Sequence, residues 1–350
     1  MNGKKVLLLA QETDRSSGSG RNAATMLSVL TAAGYEVTLL DFKKDFWAFV
    51  RTARKEAKRS DIVQAVDINP LGFAGFLATL FTRAKLVIIC QAAYAVAPLY
   101  NFKTAIFSQI VYRSANAVVA GSVFVAQEIQ KKVRGLTVHV IDPGIDMSKF
   151  TDPVRGPVSE REPFILSVGA LKARKGYEVS LRAFALLKDR IPELRYIMVG
   201  SQTDEPRYFK MLTELARELG VEDRVDFLTD VSDAHLNELY EKASVFILTS
   251  VNLDFHFEGF GMVFLEAAAH GLPSIGTLGN GIADAVEDGK TGILVPQKDP
   301  EATAEALALI LGDTERRARM SARAREFANE HDIPHLTKLY AQLYRGMLER

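Results

Sequence analysis

Two sets of short apolar runs, alternating with stretches of helical spacing, set the limits on what this chain can become. "KVLLLA", "EVTLLD", "IVQAV", "KLVIIC", "AVVAGS" and "VHVIDPG" precede residue 151, and "FILSVGA", "RYIMVG", "RVDFLT", "SVFILTS", "PSIGT" and "GILVP" follow residue 163. Runs apolar on both faces suit parallel strands buried between helices. The segments between them, such as "GRNAATMLSVLTAAG", have helical periodicity and stop at Gly, a common helix terminator. The alternation predicts α/β architecture with doubly wound sheets. It breaks once, at "TDPVRGPVSEREP" from Thr151 to Pro163, which reads as a linker. The expected organisation is a Rossmann-like domain over 1–150, a linker over 151–163 and a second Rossmann-like domain over 164–330. A C-terminal helix over 331–350 is expected to cross back to the first domain.

A chain of 350 residues, 48% of them hydrophobic, is too long for one ordinary core and suits two. Lys+Arg and Asp+Glu balance at 43 each, so the total charge gives no reason to expect a nucleic-acid partner. The single cysteine, Cys90, rules out an intrachain disulfide and fits a reducing compartment. "MNGKKVLLLAQETD" has too short an apolar run for a signal peptide and reads as a first strand. No run of 18 apolar residues occurs, so no membrane-spanning helix is expected. The expected location is the cytoplasm. No Asp-x-Asp motif occurs, and His139, His235, His331 and His335 lack ligand spacing. No metal and no cofactor is expected.

Two stretches carry the chemistry. "GALKARKG", Gly169 to Gly176, links a strand to a helix and carries Lys172, Arg174 and Lys175. Such a turn offers backbone N–H groups and positive charge to an anion, and a diphosphate matches it; a solvated basic loop is the plainer reading. "EGFGMVFLEAAAHGLP" starts at Glu258, turns through Gly259, Phe260 and Gly261, and becomes a helix with Glu266 two turns in. Glycines let backbone approach a ligand, and helix starts at the carboxyl edge of a parallel sheet are where such folds bind ligands. Glu258 alone could be simple charge pairing with a helix start. Glu266, inside an apolar run, needs a donor such as the hydroxyls of a ribose.

These residues resemble the E-x7-E signature of retaining GT-B glycosyltransferases of family 4. "SVGALKARKG", "VHVIDPGIDMSKF", "VSDAHLNELYEKASVFILTS" and "GNGIADAVEDGKTGILVPQKDPEATAEAL" extend the resemblance over nearly the whole chain. It implies two Rossmann-like domains facing each other across a cleft. It also implies a metal-independent transfer of a hexose from a nucleotide-diphosphate sugar, GDP-mannose or a UDP-sugar, to a glycan or lipid-linked hydroxyl. Carried over, Lys175 binds the donor diphosphate, Glu266 the ribose and Glu258 the sugar hydroxyls. The N–H groups of Phe260 and Gly261 help hold sugar and phosphate. In "SSGSG", Gly18, Ser19 and Gly20 stand where the family has a paired-glycine loop near the phosphates; alone they would read as a turn before a helix.

Two departures stand out. The family's Arg in "VGR" is Ala170 here, leaving Arg174 or Lys172 as the replacement. The His that many relatives carry near the acceptor is missing from "CQAAYAVAP", where the candidates are Gln91 and Tyr94. Neither is a good base, but in the family the leaving phosphate is thought to take the acceptor proton. Asp142 and Asp146 read as turn caps, Ser122 as a helix start, and His256 as a solvated loop residue.

"FKKDFWAFVRTARKEAKRSD" places Phe46, Phe49, Val50, Ala53 and Ala57 on one helical face among basic residues and Trp47. Such a helix either docks on the sheet or contacts an anionic membrane from the inner face. The competing reading for the whole chain is a catalytically silent sugar-nucleotide-binding protein. A pyridoxal phosphorylase would need a Schiff-base lysine and a much longer chain, and an epimerase would lack the Glu258 and Glu266 pairing.

Overall fold

The computed structural model describes residues 3–11, 18–150 and 161–349. They form two units, Met1–Asp146 with His331–Arg350 and Met147–Glu330. Each unit is built on a six-stranded parallel sheet. The first contains β1 (Lys5–Ala10), β2 (Glu36–Asp41), β3 (Ile62–Val66), β4 (Lys85–Cys90), β5 (Ala117–Ala120) and β6 (His139–Val140), in the order β2-β1-β3-β4-β5-β6. The second contains β7 (Phe164–Val168), β8 (Arg195–Val199), β9 (Val225–Leu228), β10 (Val245–Ile247), β11 (Ser274–Thr277) and β12 (Gly292–Val295), in the order β12-β11-β10-β7-β8-β9. The twelve apolar runs are these twelve strands. β3 and β7 are buried along their whole length, as parallel strands covered on both faces must be. Two such units are the GT-B architecture.

The C-terminal helix Ile333–Leu348 belongs to the first unit. It buries Leu336, Tyr340, Tyr344 and Met347, and Tyr344 Oη donates to Gln64 Oε1 in the middle of β3. A buried amide in a central strand needs such a partner. The chain leaves and re-enters this unit at one place. Ile145 N donates to His331 O at 2.9 Å and Ile333 N to Ile145 O at 3.2 Å. A Cβ on Gly144 would lie 2.8 Å from Leu336 Cδ2 and 3.1 Å from His331 O, so a larger residue here would force the Leu336 side chain to shift.

Of the expected linker, residues 151–160 lie outside the described residues. Arg161 is no free spacer: it donates to Ala243 O, His270 O and Gly271 O at 2.8–3.0 Å within the second unit. The basic helix seen in the sequence is Phe46–Ala57, started by Asp45 Oδ1 accepting from Ala48 N at 3.0 Å. Its apolar face is covered, since Phe49, Val50, Ala53 and Ala57 are buried; it docks on its own unit. Among the described residues no helix is long and apolar enough to cross a membrane.

Candidate active site

In the second unit, the loops after β7, β8, β10 and β11 converge at the carboxyl edge of the sheet. Backbone crowding fixes them. Gly176 has φ +67°, and a Cβ there would lie 2.0 Å from Thr249 O. Gly261 has φ +90°, with Phe264 Cδ2 2.8 Å from a would-be Cβ. Only glycine is unstrained at such φ. Thr249 Oγ1 donates to Gly176 O at 2.7 Å, Tyr177 Oη to Gly169 O at 2.6 Å and Val251 N to Arg174 O at 2.8 Å. The β11 loop packs underneath: Gly281 N donates to Glu258 O at 2.9 Å, and a Cβ on Gly281 would lie 1.9 Å from Gly259 O. Asn280, fully buried, holds Thr277 Oγ1 and Ile282 N at 3.0 Å. The sequence showed "GNG" at this place but not its contact with Glu258, which depends on two loops meeting.

Glu258 is the hub. Its Oε2 accepts from Lys175 Nζ at 2.5 Å and Arg174 Nη1 at 3.0 Å, with Ser250 Oγ at 3.5 Å. Burial pushes its carboxyl pKa up, but Lys175 and Arg174 outweigh that and hold it below the ordinary value. Burial lowers the Lys175 pKa, with Glu258 opposing. The result is a carboxylate between two cations, with one positive charge in excess.

The glycine-rich turn differs from the expectation. Most of its backbone N–H groups are already used: those of Gly169, Leu171, Lys172, Ala173, Lys175 and Gly176 all donate to protein acceptors. The turn therefore presents charge mainly through its side chains. The candidate replacements for the missing Arg are also separated. Lys172 pairs with Asp204 at 2.7 Å, whereas Arg174 joins the Glu258 hub.

Glu266 is the fifth residue of the helix Met262–Ala269, one turn in rather than two. It is half-buried and accepts from Tyr240 Oη at 3.1 Å. Glu258 and Glu266 thus serve two separate clusters. Tyr240 also stacks on His270, centroids 5.2 Å apart and planes 7° apart. Phe260 is buried. His256 is exposed, its backbone paired with Leu253.

The remaining candidates lie in the first unit. Ser16 and Ser17 lie outside the described residues; Gly18, Ser19 and Gly20 are the first turn of the helix Gly18–Ala32. Tyr94 is exposed. Gln91 N donates to Asp67 Oδ1 at 2.7 Å, and Gln91 Nε2 is buried with no partner among the described residues. Asp67 was not singled out in the sequence. It follows β3 with φ +61° and ψ +164°, a region nearly reserved for glycine and found in strained functional positions. Burial pushes its carboxyl pKa up to about 7, opposed by the Gln91 N–H. The only sequence signal was an acid directly after a strand that is apolar except for Gln64. Ser122 caps its helix by accepting from Val125 N at 3.1 Å, and Asp142 lies 3.6 Å from His331 Nε2. Among the described residues no group of three His, Cys, Asp or Glu is placed to hold a metal.

The profile of the family described as "Glycosyl transferases group 1" matches residues 148–327, and that of "Glycosyltransferase Family 4" matches residues 3–149. The chain belongs to the group 1 glycosyltransferases. It is similar to a D-inositol 3-phosphate glycosyltransferase of Corynebacterium urealyticum, 34% identical over 225 residues, which are 60% of this chain and 51% of that protein. The match thus spans about half the length of that relative. Among solved structures it shares its fold with sucrose-phosphate synthase from Thermosynechococcus elongatus, with TM-score 0.81, 20% identity and 99% of each chain covered. It also shares it with Anabaena HepE in complex with UDP and glucose, with TM-score 0.75, 21% identity and coverage of 98% and 99%.

Proposed function

We propose that the chain is a retaining, metal-independent hexosyltransferase. Its donor is a nucleotide-diphosphate sugar and its acceptor a hydroxyl of a glycan or lipid-linked molecule in cell-envelope or polysaccharide synthesis. The observation that carries this reading is the Lys175–Glu258–Arg174 cluster at the carboxyl edge of the second sheet. Two cations preorganised by one carboxylate suit a diphosphate. As the bond from the anomeric carbon to the phosphate oxygen breaks, negative charge grows on the diphosphate, where Lys175 and Arg174 act. Positive charge grows on the sugar, where the Glu258 carboxylate acts. The acceptor oxygen bonds to the anomeric carbon on the same face, and its proton passes to the departing phosphate oxygen. Glu266 and Tyr240 hold the ribose. From the first unit we assign Gly18, Ser19 and Gly20 to the donor, and Gln91 and Tyr94, with Asp67 beside Gln91, to the acceptor.

The likeness to HepE in complex with UDP and glucose favours a UDP-sugar; the form "FHFEGFGMVFLEA" favours GDP-mannose. The lone buried Cys90 fits work in the cytoplasm, at or near the inner face of the membrane. Incubation of UDP-glucose or GDP-mannose with a panel of glycan and lipid-linked hydroxyl acceptors, with and without a chelator, tests the reading. Expected are release of nucleotide diphosphate in chelator and an α-linked product by NMR. Tight donor binding with neither transfer nor hydrolysis would favour the silent binding protein.

A further inference from the structure

The neutral total charge conceals a separation. Residues 42–141 carry fourteen lysines and arginines against five acids, and residues 142–350 carry twenty-five against thirty-four. Residues 68–141 hold one acid, Glu128, and it is paired with Lys131. The crossovers from β2 to β3 and onward to β6 all step the same way across the first sheet. Right-handed crossovers therefore put the helices Phe46–Ala57, Phe73–Thr79, Phe102–Ser114 and Val123–Lys132 on one face. They touch in sequence: Arg54 Nη1 donates to Leu77 O at 3.3 Å, and the Phe107 ring lies 4.8 Å from that of Phe73.

On this face the helix Phe102–Ser114 turns an apolar ridge outward. Phe102 is 81% exposed, Ile106 73% and Ile110 47%. Residues four apart lie in one line on a helix, and Phe107 and Tyr100, also exposed, flank that line. Single exposed apolar residues are ordinary; a contiguous ridge marks an interaction site. Around it stand Lys103, Arg113, Lys131, Lys132 and Arg134, all exposed. Lys132 Nζ lies 3.7 Å from the Tyr100 ring centroid, and Arg113 Nη2 donates to Arg134 O at 3.1 Å.

We propose that this face docks on an anionic lipid bilayer. Phe102, Ile106 and Ile110 enter the headgroup boundary, and the basic rim meets the lipid charge. Charge complementarity selects the occupant. A second copy of the same face would bring like charges together. A nucleic acid would satisfy the charge but leave Ile106 and Ile110 without an apolar partner. A bilayer surface accepts both. The helix that looked membrane-active in the sequence has most of its apolar face in the core; it adds charge, from Arg51, Lys55 and Lys58, and the exposed Trp47. Docking requires no turnover, so it stands or falls apart from the transfer reaction.

The full chain is co-sedimented, without substrate, with phosphatidylcholine vesicles that contain or lack phosphatidylglycerol, at low and high salt. Expected is binding to the phosphatidylglycerol vesicles at low salt, about tenfold weaker at high salt. Phe102→Ser/Ile106→Ser/Ile110→Ser should weaken it by about tenfold or more, and Lys103→Glu/Arg134→Glu should do the same with the ridge intact. Leu309→Ser, at an exposed leucine of the second unit, should bind as the wild type does. If the triple variant fails to fold, Phe102→Ser alone, at the most exposed position of the ridge, takes its place. Equal binding to both vesicle types at low salt overturns the proposal. So does full binding by the ridge variant with loss only in the charge variant, which would assign a general polyanion site. A concentration-dependent dimer abolished by the ridge substitutions would assign a second copy instead.

Discussion

Lys175 and Glu258, 83 positions apart in the chain, meet at 2.5 Å, and Arg174 meets the same carboxylate oxygen at 3.0 Å. The acid at the head of the glycine-rich turn is therefore also the group that positions the cations before any donor arrives.

Lys175→Ala should weaken binding of nucleotide diphosphate by about tenfold to a hundredfold, since a hydrogen bond to a charged group contributes roughly 1.5–3 kcal/mol. Isothermal titration with UDP and GDP measures it. Unchanged affinity for both would remove Lys175 from the phosphate site.

The two glutamates should separate in kinetics. Glu258→Gln should lower kcat by about a hundredfold through loss of charge at the reacting sugar. Diphosphate affinity should hold or rise, because the carboxylate no longer competes for Lys175 and Arg174. Glu266→Gln should weaken both sugar nucleotide and diphosphate by several-fold, with a smaller effect on kcat. Steady-state kinetics with titration on both variants decides, and the reverse pattern would exchange the assignments.

What the sequence made legible follows from how local each signal is. The strands could be read because parallel strands are buried along their length and so mostly apolar, as β3 and β7 are. The turn glycines could be read as turns. Whether amides or side chains would face a ligand could not, because three of those amides are occupied by Val199 at the end of β8 and by Ser201 and Glu205 in the loop after it. Asp67 was missed because its strain and burial arise from the packing of β3 against β4. The charge separation was missed because a sum of zero was taken over the whole chain.

Gly176→Ala should cost at least about 3 kcal/mol, from a positive φ plus a collision with Thr249 O. Gly289→Ala has a similar φ of +73° but nothing within 4 Å, and should cost about 1 kcal/mol. Urea titration of the two variants compares them directly. Equal losses would mean that conformation alone, not the loop contact, demands glycine at 176.

Stability should respond to acid in two opposed ways. Burial, helped by Arg161 and Arg325, pushes the His270 pKa down to about 4 from 6.5. The unfolded chain then binds more protons between those values, so stability falls as pH drops from about 6.5 to about 4, by up to about 3 kcal/mol. Asp67, raised to about 7 from 3.8, does the reverse: its folded form binds more protons, and stability is lost as pH rises through that window. His270→Gln should therefore gain relative stability at pH 4.5, and Asp67→Asn at pH 7.5. Denaturant titrations at both pH values check the signs.

The bridge between Ile145 and Asp332 has a consequence for the order in which the protein is made. The first unit is complete only when residues 331–348 have left the ribosome, because Leu336, Tyr340 and Tyr344 fill its core. The second unit is continuous in the chain and so finishes first. Throughout its synthesis the nascent first half waits with part of one side of its sheet uncovered and Gln64 without Tyr344. For that interval it is exposed to chaperones and proteases, although most of it is translated before the second unit.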